Sequence, residues 1–255
     1  MLIWCSYCQQ FQGENPPYEK FAITHGLCPG CVDTGLDLTE RDLAHARTLK
    51  GIHGRLMEAG LCADLKAVEQ IVGSAADANV RGTDLMMGVI APILFAIGED
   101  WKRGVVTVAD EHRFTGFCEA VFDLVSARVK TARPSGATTA AQAEFMLVNA
   151  SGNRHMLAIR ILELWLVNKG ARTRVVEPPA SVEDLVALVR RTQPESLLVS
   201  MALAEQRTSV VTIAERIAAL PNSIRPRMIV GGYAVKMGLV QPIPGADLMA
   251  DINAL

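Results

Sequence analysis

The chain has 255 residues, half of them hydrophobic, with a formal net charge of −2 and a pI near 6.2. That is enough apolar material for two modest domains with real cores, and the lack of a basic tract argues against nucleic acid as an electrostatically held partner. The longest uncharged run, residues 85–98, is short for a bilayer span and contains Pro92; no basic-then-apolar leader opens the chain, so a cytoplasmic location without membrane contact is expected.

The first feature in chain order is a pair of Cys-x-x-Cys motifs, Cys5/Cys8 and Cys28/Cys31. Paired thiols in a chain expected to be cytoplasmic point to a metal before disulfides. Four thiolates close a tetrahedron, so a structural zinc site is expected within residues 1–35. Redox-active cysteines and an iron–sulfur cluster are the alternatives, and His25 could replace one thiol. A segment with so little to bury is expected to need the ion in order to fold. The run Thr24-His25-Gly26-Leu27-Cys28-Pro29-Gly30-Cys31 resembles the short cysteine module beside sensor domains of bacterial signalling proteins.

Residues 36–130 read as helical. Thr39 with Glu40 and Asp42 marks a helix start before Leu43, Ala46, Leu49, Ile52 and Leu56 at helical spacing, and Gly60 is expected to end this helix. Residues 62–80 and 83–98 predict two more, the latter kinked at Pro92. Gly104 then separates a fourth, from about Thr107 to Lys130. Helices of this length with short links predict a four-helix bundle. His45 and His53 are expected at the core edge or surface, and Cys62 and Cys118 as buried, apolar-like side chains.

Trp101 followed after nine residues by Glu111-His112 resembles the signature of the helical cap in cobalamin-dependent photoreceptor regulators of the CarH type. The resemblance implies that the tryptophan shields the upper axial ligand of the corrin and that the Glu-His pair lies near the same face. Without it, Trp101 would read as a core anchor and Glu111-His112 as a solvated helix start. Residues 131–142, rich in small residues with one proline and one glycine, read as a linker.

From 143 to 255 strands and helices alternate. Strands are expected at 144–150, 171–177, 196–202 and 227–231, with a short fifth near 247–250; helices at 155–169, 181–193, 206–220 and 233–240. This order predicts a doubly wound parallel sheet of the flavodoxin-like type. The first strand is followed by Asn153-Arg154-His155-Met156-Leu157-Ala158, which places His155 at the carboxyl edge where such sheets bind ligands. The run resembles the Asp-x-His-x-x-Gly signature of cobalamin-binding domains, with Asn153 in place of the aspartate and Ala158 in place of the glycine. The resemblance implies that His155 is the lower axial ligand to cobalt. Asn153 can accept a hydrogen bond from the imidazole but adds no charge to strengthen it. Ser200 after the third strand and Gly231-Gly232 after the fourth resemble the positions lining the slot for the nucleotide tail.

The resemblance spans about residues 40–255, a helical cap, a linker and a sheet domain, and implies a sensor that holds adenosylcobalamin or another cobalamin between bundle and sheet. Where those regulators carry a DNA-binding domain this chain has the cysteine module, so direct DNA binding is not expected. The expected output runs through a protein partner, with a homo-oligomer as a further option, and reports light or cofactor state. A corrinoid methyl-carrier subunit of a methyltransferase system is the alternative from the enzyme class. A haem- or bilin-binding sensor on the same scaffold, and a domain without cofactor, complete the set. No paired acid–base or nucleophile constellation stands out, so no catalytic activity of its own is expected.

Overall fold

The computed structural model describes residues 1–5, 8–18, 21–33, 40–131, 143–153, 155–177 and 181–251. The linker from 132 to 142, the helix start at Thr39, Arg154 and the side chain of His25 lie outside the described residues. The chain divides into two compact units, Met1–Pro134 and Ser135–Leu255.

The first unit opens with a small sheet of β1 (Leu2–Cys5), β2 (Phe11–Glu14) and β3 (Ile23–Gly26), in the order β2-β1-β3. β1 is antiparallel to β2 and parallel to β3. Leu2 and Trp4, two apart and so on one face of the strand, are both buried. A single turn, α1 (Pro29–Val32), follows β3. Then come α2 (Glu40–Leu61), α3 (Ala67–Asp77), a helical run built from α4 (Gly82–Leu85), a π-helical turn (Met86–Ile90) and α5 (Ala91–Lys102), and finally α6 (Val108–Thr131). α6 packs against α2, α3, α4 and α5. Its buried side chains Phe114, Phe117, Cys118, Val121, Phe122 and Val125 recur at helical spacing, and Leu49, Ile52 and Leu56 of α2 and Ile71 of α3 are likewise buried in this unit.

Several expectations are corrected here. α2 ends at Leu61, one residue past Gly60; a Cβ on Gly60 would come 2.5 Å from the Phe114 ring, so its lack of a side chain also serves close helix packing. Cys62 is exposed, in the turn after α2, whereas Cys118 is buried and its thiol is pushed up to about 12 by that burial. The second helix begins only at Ala67, because Ala63 turns through a positive φ of 52°. The third is longer than expected. Gly82–Lys102 is continuous for 21 residues, and by length and composition alone it could cross a membrane. Leu85, Met86, Val89, Ile90, Ile93 and Ile97 are buried within the unit, as in a core helix. Pro92 sits at the start of α5 directly after the π turn, whose wider hydrogen-bond spacing accommodates a residue without an N–H.

Gly104, with φ +72°, follows α5, and Thr107 with Asp110 starts α6 by a reciprocal cap: Asp110 N–H donates to Thr107 Oγ1 and Thr107 N–H donates to an Asp110 carboxylate oxygen, each at 3.1 Å. Both junctions fall where the sequence predicts them.

The sequence does not announce that the cysteine-bearing segment packs on these helices. Trp4 lies beside Phe11 and His45, with ring centroids 5.7 and 5.8 Å away. A Cβ on Gly88 of the π turn would come within 2.4 Å of the Trp4 ring. Phe21 stacks on His53 at 3.8 Å. His45 is thereby buried, not at the core edge as expected, and burial holds its pKa below the ordinary histidine value.

In the second unit β4 (Phe145–Asn149), α7 (Met156–Asn168), β5 (Thr173–Val176), α8 (Val182–Thr192), β6 (Ser196–Ser200), α9 (Arg207–Ala218), β7 (Arg227–Gly231), α10 (Tyr233–Lys236) and β8 (Asp247–Leu248) follow one another. The strands form a parallel sheet in the order β5-β4-β6-β7-β8, the flavodoxin-like arrangement expected from the sequence. Met146, Val148, Leu197, Val199, Met228 and Val230 pack on α8 and α9, while Leu147, Leu198 and Ile229 pack on α7. Both faces are covered, which is why the central strands are unbroken apolar runs. The last two elements are shorter than expected: α10 stops at Lys236, before Gly238 at φ +66°, and β8 pairs through two residues.

The packing at Gly88 gives a direct test. Gly88→Ala should overpack Trp4 and Phe11 and lower stability by about 1–3 kcal/mol, measured as a lower denaturation midpoint in urea. An unchanged midpoint would mean that the small sheet does not rest on the π turn.

Candidate functional site

The carboxyl ends of β4, β6 and β7 lie in register, with Asn149 opposite Ser200 and Ser200 opposite Gly231. The expected site residues Asn153, His155, Ser200, Gly231 and Gly232 therefore gather on one edge of the sheet. Ala150 N–H donates to Ser200 O and Met201 N–H to Gly231 O, both at 2.9 Å, so the backbone stays paired up to the point where each loop departs.

The loop after β4 is built on two amides. Asn153 is buried, and its Oδ1 accepts the main-chain N–H of His155 at 3.1 Å. Its Nδ2 donates to Asn149 Oδ1 at 3.4 Å. Asn149, also buried, donates from Nδ2 to His155 O at 3.3 Å and approaches Met156 Sδ at the same distance. His155 is thus held through both its N–H and its C=O, at the N-cap of α7 with φ −77° and ψ 93°, while its ring is exposed. The sequence reading places Asn153 against the imidazole; the structure gives its oxygen to the main chain of the same residue. A carbonyl oxygen has a second lone pair, so the amide keeps one acceptor site. Ala158, the other departure from the signature, is exposed on the first turn of α7, so its methyl fills no packed space in this unit.

Gly232 is required by geometry. Its φ is +99°, and a Cβ there would lie 2.6 Å from Met201 O and 2.9 Å from Met201 N. Only glycine lets β7 turn back so close to the chain leaving β6. Ala234 N–H then donates to Met201 O at 3.2 Å. Two residues of this edge escape sequence reasoning. Asn149 interrupts an apolar run at its last position, which is the only signal it gives. Gln206 is buried and its Oε1 accepts the main-chain N–H groups of Ala202 and Leu203 at 2.9 and 3.0 Å, fixing the loop after Ser200.

The remaining expected residues belong to the first unit. Trp101 closes α5 and is 42% exposed, beside the exposed Val105 and Val108 in sequence. Glu111 is half-buried and accepts the Thr115 hydroxyl at 2.9 Å. His112 is exposed, with Nε2 3.5 Å from the Glu111 carboxylate. Adjacent helical positions diverge by about 100°, and here Glu111 is half-buried while His112 is exposed. Cys5, Cys8, Cys28 and Cys31 converge, as described below.

Residues 53–126 match the family model described as "B12 binding domain". The matched stretch runs from α2 to α6 and lies wholly in the helical part of the first unit. Among solved structures, the chain is similar to the monomethylamine corrinoid protein of Methanosarcina barkeri, with a TM-score of 0.66 and 14% identity over 80% of this chain and 94% of that one. It is also similar to the methanol:cobalamin methyltransferase complex MtaBC of the same organism (TM-score 0.39, 17% identity, 82% and 78% covered). A third is a cobalamin-binding protein from Desulfitobacterium hafniense DCB-2 (0.42, 18%, 80% and 93%). No curated protein matches the chain. At these identities the first structure establishes a shared fold, and the family match supports corrinoid binding.

Asn153→Ala should remove both amide contacts of the loop. It should cost about 1–3 kcal/mol, because buried groups of Asn149 and the His155 N–H lose partners. Thermal unfolding checks the size of the loss. A variant as stable as the parent would show that the amides do not hold the loop.

Proposed function

We propose that the chain is a cobalamin-binding sensor in the cytoplasm that reports cofactor state, including its change under light, to a protein partner. The observation that carries the corrinoid part is an exposed imidazole at the ligand-binding edge of a doubly wound sheet, its main chain held at both polar atoms, in a chain whose helices match a B12-binding model. The residues present fit such a group. His155 offers a ring nitrogen to a metal. Ser200, paired with Asn149, and Gly231, paired with Ser200, lie along the same edge and would line the tail. The match to a B12 model favours a corrinoid over the haem and bilin alternatives.

A bound alkylcobalamin would supply a light-labile cobalt–carbon bond. The chain supplies the rest. His155 would hold the group through a ring nitrogen; Trp101, exposed near the end of α5, would pack on its alkyl group and exclude water, and Glu111 and His112 at the start of α6 would support that contact. Burying the remaining indole surface is worth a few kcal/mol at most, enough to bias a two-state arrangement strongly when that contact is lost.

A second reading, a methyl-carrier subunit, is favoured by the similarity to the monomethylamine corrinoid protein, which extends over nearly all of that chain. The Trp101, Glu111, His112 set and the cysteine module speak for the sensor. No catalytic role of its own is assigned to the chain in either case.

Reconstitution with adenosylcobalamin decides between them. The sensor reading predicts binding, a base-off shift and weaker affinity in His155→Ala, and a change in scattering profile or assembly on illumination. A spectrum and affinity unchanged in His155→Ala would overturn the ligand assignment. Photolysis without a change in shape, together with methyl transfer to or from a partner enzyme, would establish the carrier instead.

A further inference from the structure

The thiol cluster of the first unit is not used by the corrinoid reading. Cys5 ends β1, Cys8 lies in the turn before β2, Cys28 is the N-cap of α1 and Cys31 lies within it. Their four Sγ atoms all lie within 4.8 Å of one another, and Cys8 Sγ is 3.9 Å from Cys28 Sγ. A tetrahedron with zinc–sulfur bonds of about 2.3 Å has edges of about 3.8 Å, so the cluster needs only a small contraction to enclose the ion. The backbone is arranged for it as well. Cys31 and Val32 N–H groups fold back onto Cys28 O at 2.9 and 3.0 Å, making a tight knuckle. Cys28 N–H points at Cys5 Sγ at 3.4 Å, which orients that sulfur toward the cluster.

We propose that Cys5, Cys8, Cys28 and Cys31 bind one zinc ion as a closed tetrathiolate site. Binding releases the thiol protons to solvent, and no coordination position remains for a substrate. The role is therefore structural: the ion ties the β1–β2 hairpin to the β3–α1 knuckle.

Its position explains why this matters. Cys5 directly follows Trp4, whose ring rests on Gly88 of the π turn and beside His45. Trp4 Nε1 and His45 Nε2 are both buried without a hydrogen-bond partner among the described residues. Such groups oppose burial, and an ion one residue away would hold the small sheet against that cost. The other two cysteines lie outside the cluster, Cys62 exposed and Cys118 buried.

Metal analysis and native mass spectrometry of the full-length protein, purified without added corrinoid, test the site independently of the cobalamin reading. One zinc per chain is expected, retained in Cys62→Ser and Cys118→Ala and lost at least tenfold in Cys28→Ser and Cys8→Ser. Chelated protein titrated with cobalt(II) should give the intense visible bands of a tetrahedral thiolate site at one equivalent. If the cysteine variants fold poorly, the parent's stoichiometry and cobalt spectrum still decide the matter. A parent without zinc and without those cobalt bands, a mass showing two disulfides, iron with acid-labile sulfide, or zinc unchanged in Cys28→Ser and Cys8→Ser would each overturn it.

Discussion

The candidate site depends on one interaction, the contact between the side-chain amides of Asn149 and Asn153. One closes a buried strand and the other begins the approach to α7, and together they hold the N–H and C=O of His155. Buried amides are expensive unless paired, so their pairing selects one loop conformation. In that conformation the imidazole of His155 is exposed above the sheet edge, with Ser200 and Gly231 in register alongside. An aspartate at 153 would have brought charge to this loop; an asparagine brings a donor as well, and the donor is used to reach Asn149. The substitution that looks like a weakened signature is therefore also part of the loop's construction.

The first unit shows a different economy. Its helices approach closely at positions without side chains: Gly60 against Phe114, Gly82 against Val125, Gly88 against Trp4. These contacts set where the rods lie, and the π turn that contains Gly88 is where the N-terminal sheet rests. Trp101, at the far end of the same helical run, is left exposed. Its exposure leaves the indole accessible, and its place in the proposal rests on the resemblance of the Trp101, Glu111, His112 spacing.

Much of this architecture is legible in the amino-acid sequence. The parallel sheet was readable because strands buried on both faces must be continuous apolar runs, and β4, β6 and β7 are. The junction at Gly104 and Thr107 was readable because a left-handed glycine and a capping threonine act locally. Gly60 reads as a terminator, and α2 does end one residue later, but its second role, making room for the Phe114 ring, comes from a residue far away in sequence. Cys62 was misread as buried because hydrophobicity does not say which face of a helix end is covered. His45 was misplaced because nothing local reveals that the cysteine-bearing sheet lies over it. At the sheet edge, His155 and Asn153 stand out through the signature their run resembles, whereas Asn149 and Gln206 do not. Each acts through main-chain atoms several residues away, a role that leaves little trace in a single sequence.

The central claim, that His155 is a ligand to cobalt, is tested most directly by electron paramagnetic resonance of the bound corrinoid in its cobalt(II) form, in protein grown with 15N-labelled histidine. The account predicts that the superhyperfine lines of the lower nitrogen ligand change from triplets to doublets on labelling, and that the change disappears in His155→Ala. Triplets that persist in labelled protein would place the cofactor's own 14N base beneath cobalt and contradict the assignment.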